Sequence, residues 1–174
     1  MWKTHRAFIA TAVVFLCAAY SACTNPFAPA RNDSIGNANT PLGDQRTVDG
    51  FFQKFSYAYA YKDTTIYGQL LCDTFTFAFR DYSQNADVSW GRDEEMHTTY
   101  GLFQNTQNLS LIWNQIILQT GDSLNQQITR AFDLTITFNP EDVEFISGNA
   151  DLTLIRAHPD SAWTLTYWHD NSNY

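Results

Sequence analysis

Residues 51–77 read FFQKFSYAYAYKDTTIYGQLLCDTFTF, and a change of hydrophobic period inside this stretch decides the fold. Val48, Phe51, Phe52, Phe55, Ala58 and Tyr59 recur at steps of three and four, which puts one broad apolar stripe on a helix. Thr47 is placed to cap that helix, and Asp49 sits in its first turn, at the positive end of the helix dipole. Asp63 is placed to cap a second, short helix with Ile66, Tyr67, Leu70 and Leu71 on its inner side. From Asp73 the period drops to two. In DTFTFAFR (73–80), Phe75, Phe77 and Phe79 share one face and Thr74, Thr76 and Arg80 the other, as in a half-buried strand.

The rest of the chain follows in the same terms. Residues 81–91 are polar apart from a few side chains, with Trp90 and Gly91 at the end, and read as a loop. Asp93, Glu94 and Glu95 open a third helix, with Met96, Tyr100 and Phe103 on its buried side. Residues 109–119 are rich in β-formers and apolar on both faces, which predicts a central strand with a bulge. Phe132, Leu134, Ile136 and Phe138 share one face of a strand over 128–138, which Pro140 stops. Residues 145–157 form the next strand, with Ala150, Leu152 and Leu154 inward. WTLTYWHD (163–170) closes the chain. The order predicts an α+β fold: N-terminal helices packed on a strongly curved, mainly antiparallel sheet, cone-like in outline.

Composition narrows the function classes. The 174 residues are 44% hydrophobic and 16% charged, enough for one core, and the net charge is −8. An acidic chain disfavours nucleic acid as a partner, because phosphates need a basic face. Three cysteines do not make a disulfide scaffold, and the four histidines fall on separate elements, so neither a metal nor another cofactor is expected.

The N-terminus reads as an address. Lys3, His5 and Arg6 precede an apolar run from Ala7 to Tyr20, shorter than the ~20 residues that span a bilayer. The run ends in small residues, and Tyr20-Ser21-Ala22-Cys23 resembles the bacterial lipoprotein signal. That resemblance implies a signal peptide over 1–22, with Cys23 lipidated and palmitate among its acyl chains. The competing reading is secretory cleavage after Ser21, with Ala19 at the minus-three position. Residues 23–45 then make the lipidated Cys and a flexible tether. Three prolines, two glycines and four asparagines fall in 24–45, without helical or strand period. Residues 46–174 make the single cone-like domain. The implied location is the bacterial cell envelope, lipid-anchored and facing the periplasm or cell surface. Thr24, rather than Asp, after the Cys points to the outer membrane in a two-membrane host.

Three stretches carry a further resemblance: the opening FFQKFSYAYAYKDTTIYGQLLCDTFTF, the third-helix start WGRDEEMHTTYGLF, and the closing WTLTYWHD. Together they resemble the nuclear transport factor 2-like superfamily, the cone fold that includes ketosteroid isomerase and polyketide-cyclase-like proteins. The resemblance implies the fold and a homodimer built sheet to sheet. It leaves the activity open, because this fold hosts enzymes, binders and oligomer scaffolds.

No catalytic motif stands out. In ketosteroid-isomerase-like enzymes an acid and a base work in an apolar pocket; here the side chains available for that are Tyr59, Glu95, Tyr100, Tyr167, His169 and Asp170. Strand parity sets His169 and Asp170 on opposite faces. For Glu95 the plainer reading is compensation of the helix dipole, and for Cys72 that of a small buried hydrophobe. Among the aromatics, Tyr59, Trp90 and Trp113 are the candidate ligand-binding residues, with Trp90 at the mouth. Trp168 could line the pocket or fill the cone, and Trp163 reads as core. Two function classes follow. One is a membrane-anchored, non-catalytic module that binds a small apolar ligand or a partner protein. The other is an isomerase- or cyclase-like enzyme with an acid–base pair in the cone. A cavity of ~300 Å³ or more holding a carboxylate or His favours the enzyme, whereas a filled cone leaves protein binding.

Overall fold

A computed structural model describes residues 42–173. The signal segment, Cys23 and the tether up to residue 41 lie outside the described residues. The order is α1 (Val48–Ala60), α2 (Thr64–Leu70), β1 (Leu71–Asp81), β2 (Ala86–Gly91), α3 (Arg92–Asn105), β3 (Asn108–Gly121), β4 (Asn125–Asn139), β5 (Asp142–Ile155) and β6 (Thr164–Asn173). The strands form one sheet in the order β2-β1-β6-β5-β4-β3. Only the β1–β6 pairing is parallel; the others are antiparallel. The architecture of the described residues is therefore α+β, with three helices on one side of a six-stranded, mostly antiparallel sheet.

The two helix starts form for the reasons visible in the sequence. The Thr47 side chain accepts the Gly50 amide at 3.0 Å, and Asp63 accepts the Ile66 amide at 2.9 Å. Each satisfies one of the donors that a helix start leaves without an intrahelical partner. The stripe of α1 faces inward: Phe51, Phe52, Phe55, Ala58 and Tyr59 are all buried. Gly50 has a separate task. A Cβ there would collide with the Asp44 carbonyl, so its bare backbone lets the preceding segment fold against the helix. That segment is stitched down through Gln45. Its carbonyl accepts the Trp163 amide at 2.9 Å and its side chain donates to the Trp163 carbonyl at 2.8 Å.

Three expectations need correction. Residues 86–91 are a strand, not loop. β2 is an edge strand paired with β1, and the hairpin turns over residues 82–85, where Asn85 takes a left-handed φ of 52°. Ala86, Val88 and Trp90 alternate on one side of ADVSWG, but the run is short and one of the three is the small alanine, so the period of two is weak.

The strand expected at the sheet centre is β3, and it is an edge. Its two-sided apolarity has another cause. Leu109 and Leu111 are buried, whereas Ile112, Ile117 and Leu118 are exposed on a strand whose register slips twice after Trp113. The expected bulge is present at those slips.

The buried side of α3 is Glu95, Thr99 and Phe103, a strict i, i+4, i+8 line. Tyr100 points outward, 52% exposed. A carboxylate on the inner line inverts the usual hydrophobic reading of such a helix.

The remaining strands follow their patterns. Phe75 and Phe77 are buried, Phe132 and Ile136 are buried on β4, and Ala150, Leu152 and Leu154 are buried on β5. Asp133 is on the outer face, where it accepts Asn114 Nδ2 at 2.8 Å. No helix among the described residues is long and apolar enough to cross a membrane.

Candidate functional site

The helices do not fill the cone. Between α1, α3 and the concave face lies a cavity of about 480 Å³, within the size range of small-molecule sites. Its walls are mostly apolar: Phe77 and Phe79 from β1, Leu102 from α3, Leu134 and Ile136 from β4, Ile146 from β5. Its polar groups come from Tyr59, Glu95, Thr98, Thr99 and Asp170.

Each polar group has an identifiable reason for being there. Glu95 is 4% exposed because α3 begins immediately after β2, which turns the first helical turn in under the hairpin. Oε1 accepts the Tyr67 hydroxyl at 2.6 Å and the Thr99 hydroxyl at 3.0 Å. Oε2 accepts Trp90 Nε1–H at 2.7 Å. Three donors from three elements thus converge on one carboxylate, which is how a buried carboxylate is tolerated. Trp90 is half-buried at the cavity wall, its ring stacked on Phe77 at 4.6 Å, the residue it faces across the hairpin.

Asp170 arrives by a bulge. Leu165 pairs with Leu154 but Tyr167 pairs with Thr153, so Thr166 is the extra residue in β6. Leu165 is buried before the bulge and Trp168, Asp170 and Ser172 after it. Simple alternation groups His169 with Leu165; the bulge breaks that group. His169 lies on the outer side with Thr76 and Ala78, and Tyr167 is 38% exposed on the same side. His169 and Asp170 are on opposite sides of the sheet, as strand parity predicts. Asp170 Oδ1 also accepts the Ser172 amide at 2.9 Å, which fixes its side chain.

Tyr59 ends the α1 stripe against the cavity, stacked on Phe55 at 5.5 Å. Burial, reinforced by the Glu95 charge, holds its phenol well above the ordinary value, with the Tyr67 and Thr99 hydroxyls opposing the shift in part. Tyr67 is raised for the same first reason, with Tyr59 and Glu95 adding to it. Both phenols therefore stay protonated near neutral pH and serve as hydrogen-bond donors.

Trp113 is elsewhere. It packs edge-on to Phe52 at 4.9 Å and Phe55 at 5.3 Å, and lines a wider, solvent-open groove of about 680 Å³ between α1 and β3. The Arg130 guanidinium covers Phe52 in that groove, 4.3 Å from the ring centre. The structure thus brings Tyr59, Trp90, Glu95 and Asp170 to one cavity and leaves Trp113, Tyr100, Tyr167 and His169 outside it. Trp168, read as either pocket or core, does both: it is 7% exposed, packs on Phe77 and Phe55, and borders the cavity. Cys72 is a free thiol, half-buried beside the core. Among the described residues no cluster of three His, Cys, Asp or Glu side chains offers a metal site.

The sequence matches no family model and no curated protein. Solved structures do share the fold. A Kribbella flavida protein superposes with a TM-score of 0.63 at 14% identity, covering 75% of this chain and 91% of that one. A candidate scytalone dehydratase from Novosphingobium aromaticivorans superposes at 0.63 and 12% identity, covering 74% and 83%. A candidate dehydratase of the NTF2-like family from Streptomyces avermitilis gives 0.54 at 16% identity, covering 70% and 90%. At such identities the likeness is one of fold: the chain has the nuclear transport factor 2-like cone.

Proposed function

We propose that this protein is an envelope lipoprotein, anchored through Cys23, whose cone domain holds a small, largely apolar ligand. The observation that carries the ligand reading is the cavity: about 480 Å³, aromatic and aliphatic on its walls, with its few polar groups gathered on Tyr59, Glu95, Thr98, Thr99 and Asp170. Ligand sites have this division between an apolar body and a few orienting groups. The cavity also supports a small-molecule occupant over the partner protein held equally open from sequence.

Non-catalytic binding is favoured because both carboxylates are already committed. Glu95 accepts three side-chain donors, and Asp170 accepts a backbone amide. The test is ligand-dependent quenching of Trp fluorescence, repeated in Trp90→Phe. Quenching in the parent that is weakened in the variant supports the site; quenching identical in both refutes it. For the anchor, labelled palmitate enters the parent and not Cys23→Ala.

A second reading stays in play because the cavity exceeds the ~300 Å³ mark and holds two carboxylates. In an isomerase-, cyclase- or dehydratase-like enzyme, Asp170 would take a proton while Tyr59 donates a hydrogen bond to the developing oxyanion. Two of the structural neighbours described as candidate dehydratases favour this alternative by analogy. Turnover lost in both Asp170→Asn and Tyr59→Phe, with ligand binding kept, would select it. Ile112 and Phe145, exposed on the same outer side of the sheet, support a homodimer contact, which sedimentation equilibrium tests.

A further inference from the structure

We infer that the cavity selects a positively charged ligand: an aromatic or aliphatic amine, or a quaternary ammonium, rather than a neutral or anionic molecule of the same size. The inference rests on the cavity being a ligand site, and it names the charge class that site takes.

The charges around the cavity have one sign. Glu95 and Asp170 border it, and among the described residues no Lys, Arg or His does. His97 is exposed, His169 lies on the outer side of the sheet, and the Lys and Arg neighbours in the chain are engaged elsewhere, Arg130 with the Asn114 carbonyl at 2.9 Å. Arg92 donates to the Gly68 carbonyl at 3.1 Å, Lys62 to the Thr106 carbonyl at 2.8 Å, and Arg80 pairs with Asp87 at 2.8 Å. A carboxylate or phosphate ligand would therefore meet two acidic side chains and no cationic one among the described residues that border the cavity. A cation would meet the opposite.

The aromatic walls point the same way. Ring faces carry the negative end of the quadrupole, and a cation within ~6 Å of a ring centre is attracted to it, most strongly by Trp. Phe77, Phe79, Trp90 and Trp168 border one cavity and pack on one another at 4.6–6.1 Å. Trp90 has a further feature. Its N–H donates to Glu95 Oε2 at 2.7 Å, which pushes electron density into the indole and deepens the negative potential of its face. Glu95 thus acts on a ligand in two ways, by its own charge and through Trp90. That both of its oxygens are filled matters less for a cation than for a ligand that must donate a directed hydrogen bond. A quaternary ammonium has no N–H to give and is held by field and ring faces alone.

The test compares three probes of nearly equal size and shape: 2-naphthylmethylamine, 2-naphthylmethanol and 2-naphthoate, cationic, neutral and anionic at pH 7. Each is titrated into the full chain by calorimetry, with Trp fluorescence as a second readout. A Leu102→Trp variant, which fills the cavity, serves as the location control. The amine should bind about tenfold tighter than the alcohol, a gap of ~1.4 kcal/mol, as expected for a desolvated cation–π and carboxylate site. The acid should be the weakest of the three, and Leu102→Trp should abolish amine binding. Asp170→Asn keeps the acceptor for the Ser172 amide and removes one charge, so it should narrow the gap between amine and alcohol. If the alcohol binds as tightly as the amine or tighter, and Leu102→Trp abolishes it, the charge inference fails while the ligand site stands. Amine binding that survives Leu102→Trp overturns the assignment to this cavity. Failure of all three probes to bind overturns both.

Discussion

Replacing Glu95 by Ala separates two readings of one residue. As part of an acidic first turn, Glu95 would contribute roughly 0.3–1 kcal/mol through the helix dipole, the same as its neighbour Glu94. The structure gives it more to do. Three bonds to a charged acceptor, at roughly 1.5–3 kcal/mol each, set an upper limit near ~5–9 kcal/mol. Several effects reduce that limit. Trp90 is half-buried and regains some contact with water. Thr99 sits four residues on in the same helix, so its hydroxyl can rotate to the residue 95 carbonyl. Removing the carboxylate also relieves its own desolvation. Tyr67 has less recourse: it is 0% exposed, its hydroxyl loses the 2.6 Å acceptor, and beside it stand the Tyr59 and Thr99 hydroxyls rather than water. A destabilisation of about 3–5 kcal/mol remains. For a domain of this size that is a fall in Tm of about 10–20 °C. The assay is urea and thermal unfolding of Glu95→Ala beside Glu94→Ala, where the exposed Glu94 should move stability by no more than about 1 kcal/mol. If the two variants fall within about 1 kcal/mol of each other, the buried three-donor network does not exist as described.

Further outcomes follow from the same geometry. Phe75→Asp places an unpaired charge at a site 2% exposed and should leave no cooperative unfolding transition by calorimetry. Asp63→Ala removes the acceptor for the Ile66 amide and should cost about 1 kcal/mol in urea unfolding, with Asp63→Asn close to the parent. Tyr59 and Tyr67 have phenols raised in the fold, so their contribution is intact below the unfolded value of ~10 and is lost as pH rises beyond it. Absorbance at the phenolate band should show these two ionising only with unfolding, and Tyr59→Phe plus Tyr67→Phe should flatten the loss of stability at high pH.

Much of the fold was legible because it is written in periods. The α1 stripe from Phe51 to Tyr59, the alternation Phe75-Phe77-Phe79, and the β4 and β5 patterns each specify a face, and each face is where the pattern puts it. What escaped lies where a pattern is short or interrupted. β2 has three apolar side chains in six residues, one of them the small Ala86, and an edge strand paired on one side needs no more. The bulge at Thr166 is invisible to parity, because one extra residue reverses every side chain after it. That single residue decides that Asp170, and not His169, reaches the cavity. Glu95 is among the acid–base candidates named from sequence, but its burial is not legible there: a DEE run at a helix start has a sufficient explanation in the dipole. The available signal was Thr99 four residues later and Phe103 four after that, an inward line on which Glu95 is the first member.

Methyl NMR on the full chain reaches the central claim most directly. With the isoleucine and leucine methyls labelled, 2-naphthylmethanol and 2-naphthylmethylamine are titrated in while the shifts are followed. An open, ligand-binding cone predicts that Leu102, Leu134, Ile136 and Ile146 move together and saturate, while Ile112, Ile117 and Leu118 on the exposed side stay still. Shifts confined to the exposed set, or no saturable shift at all, would contradict the account.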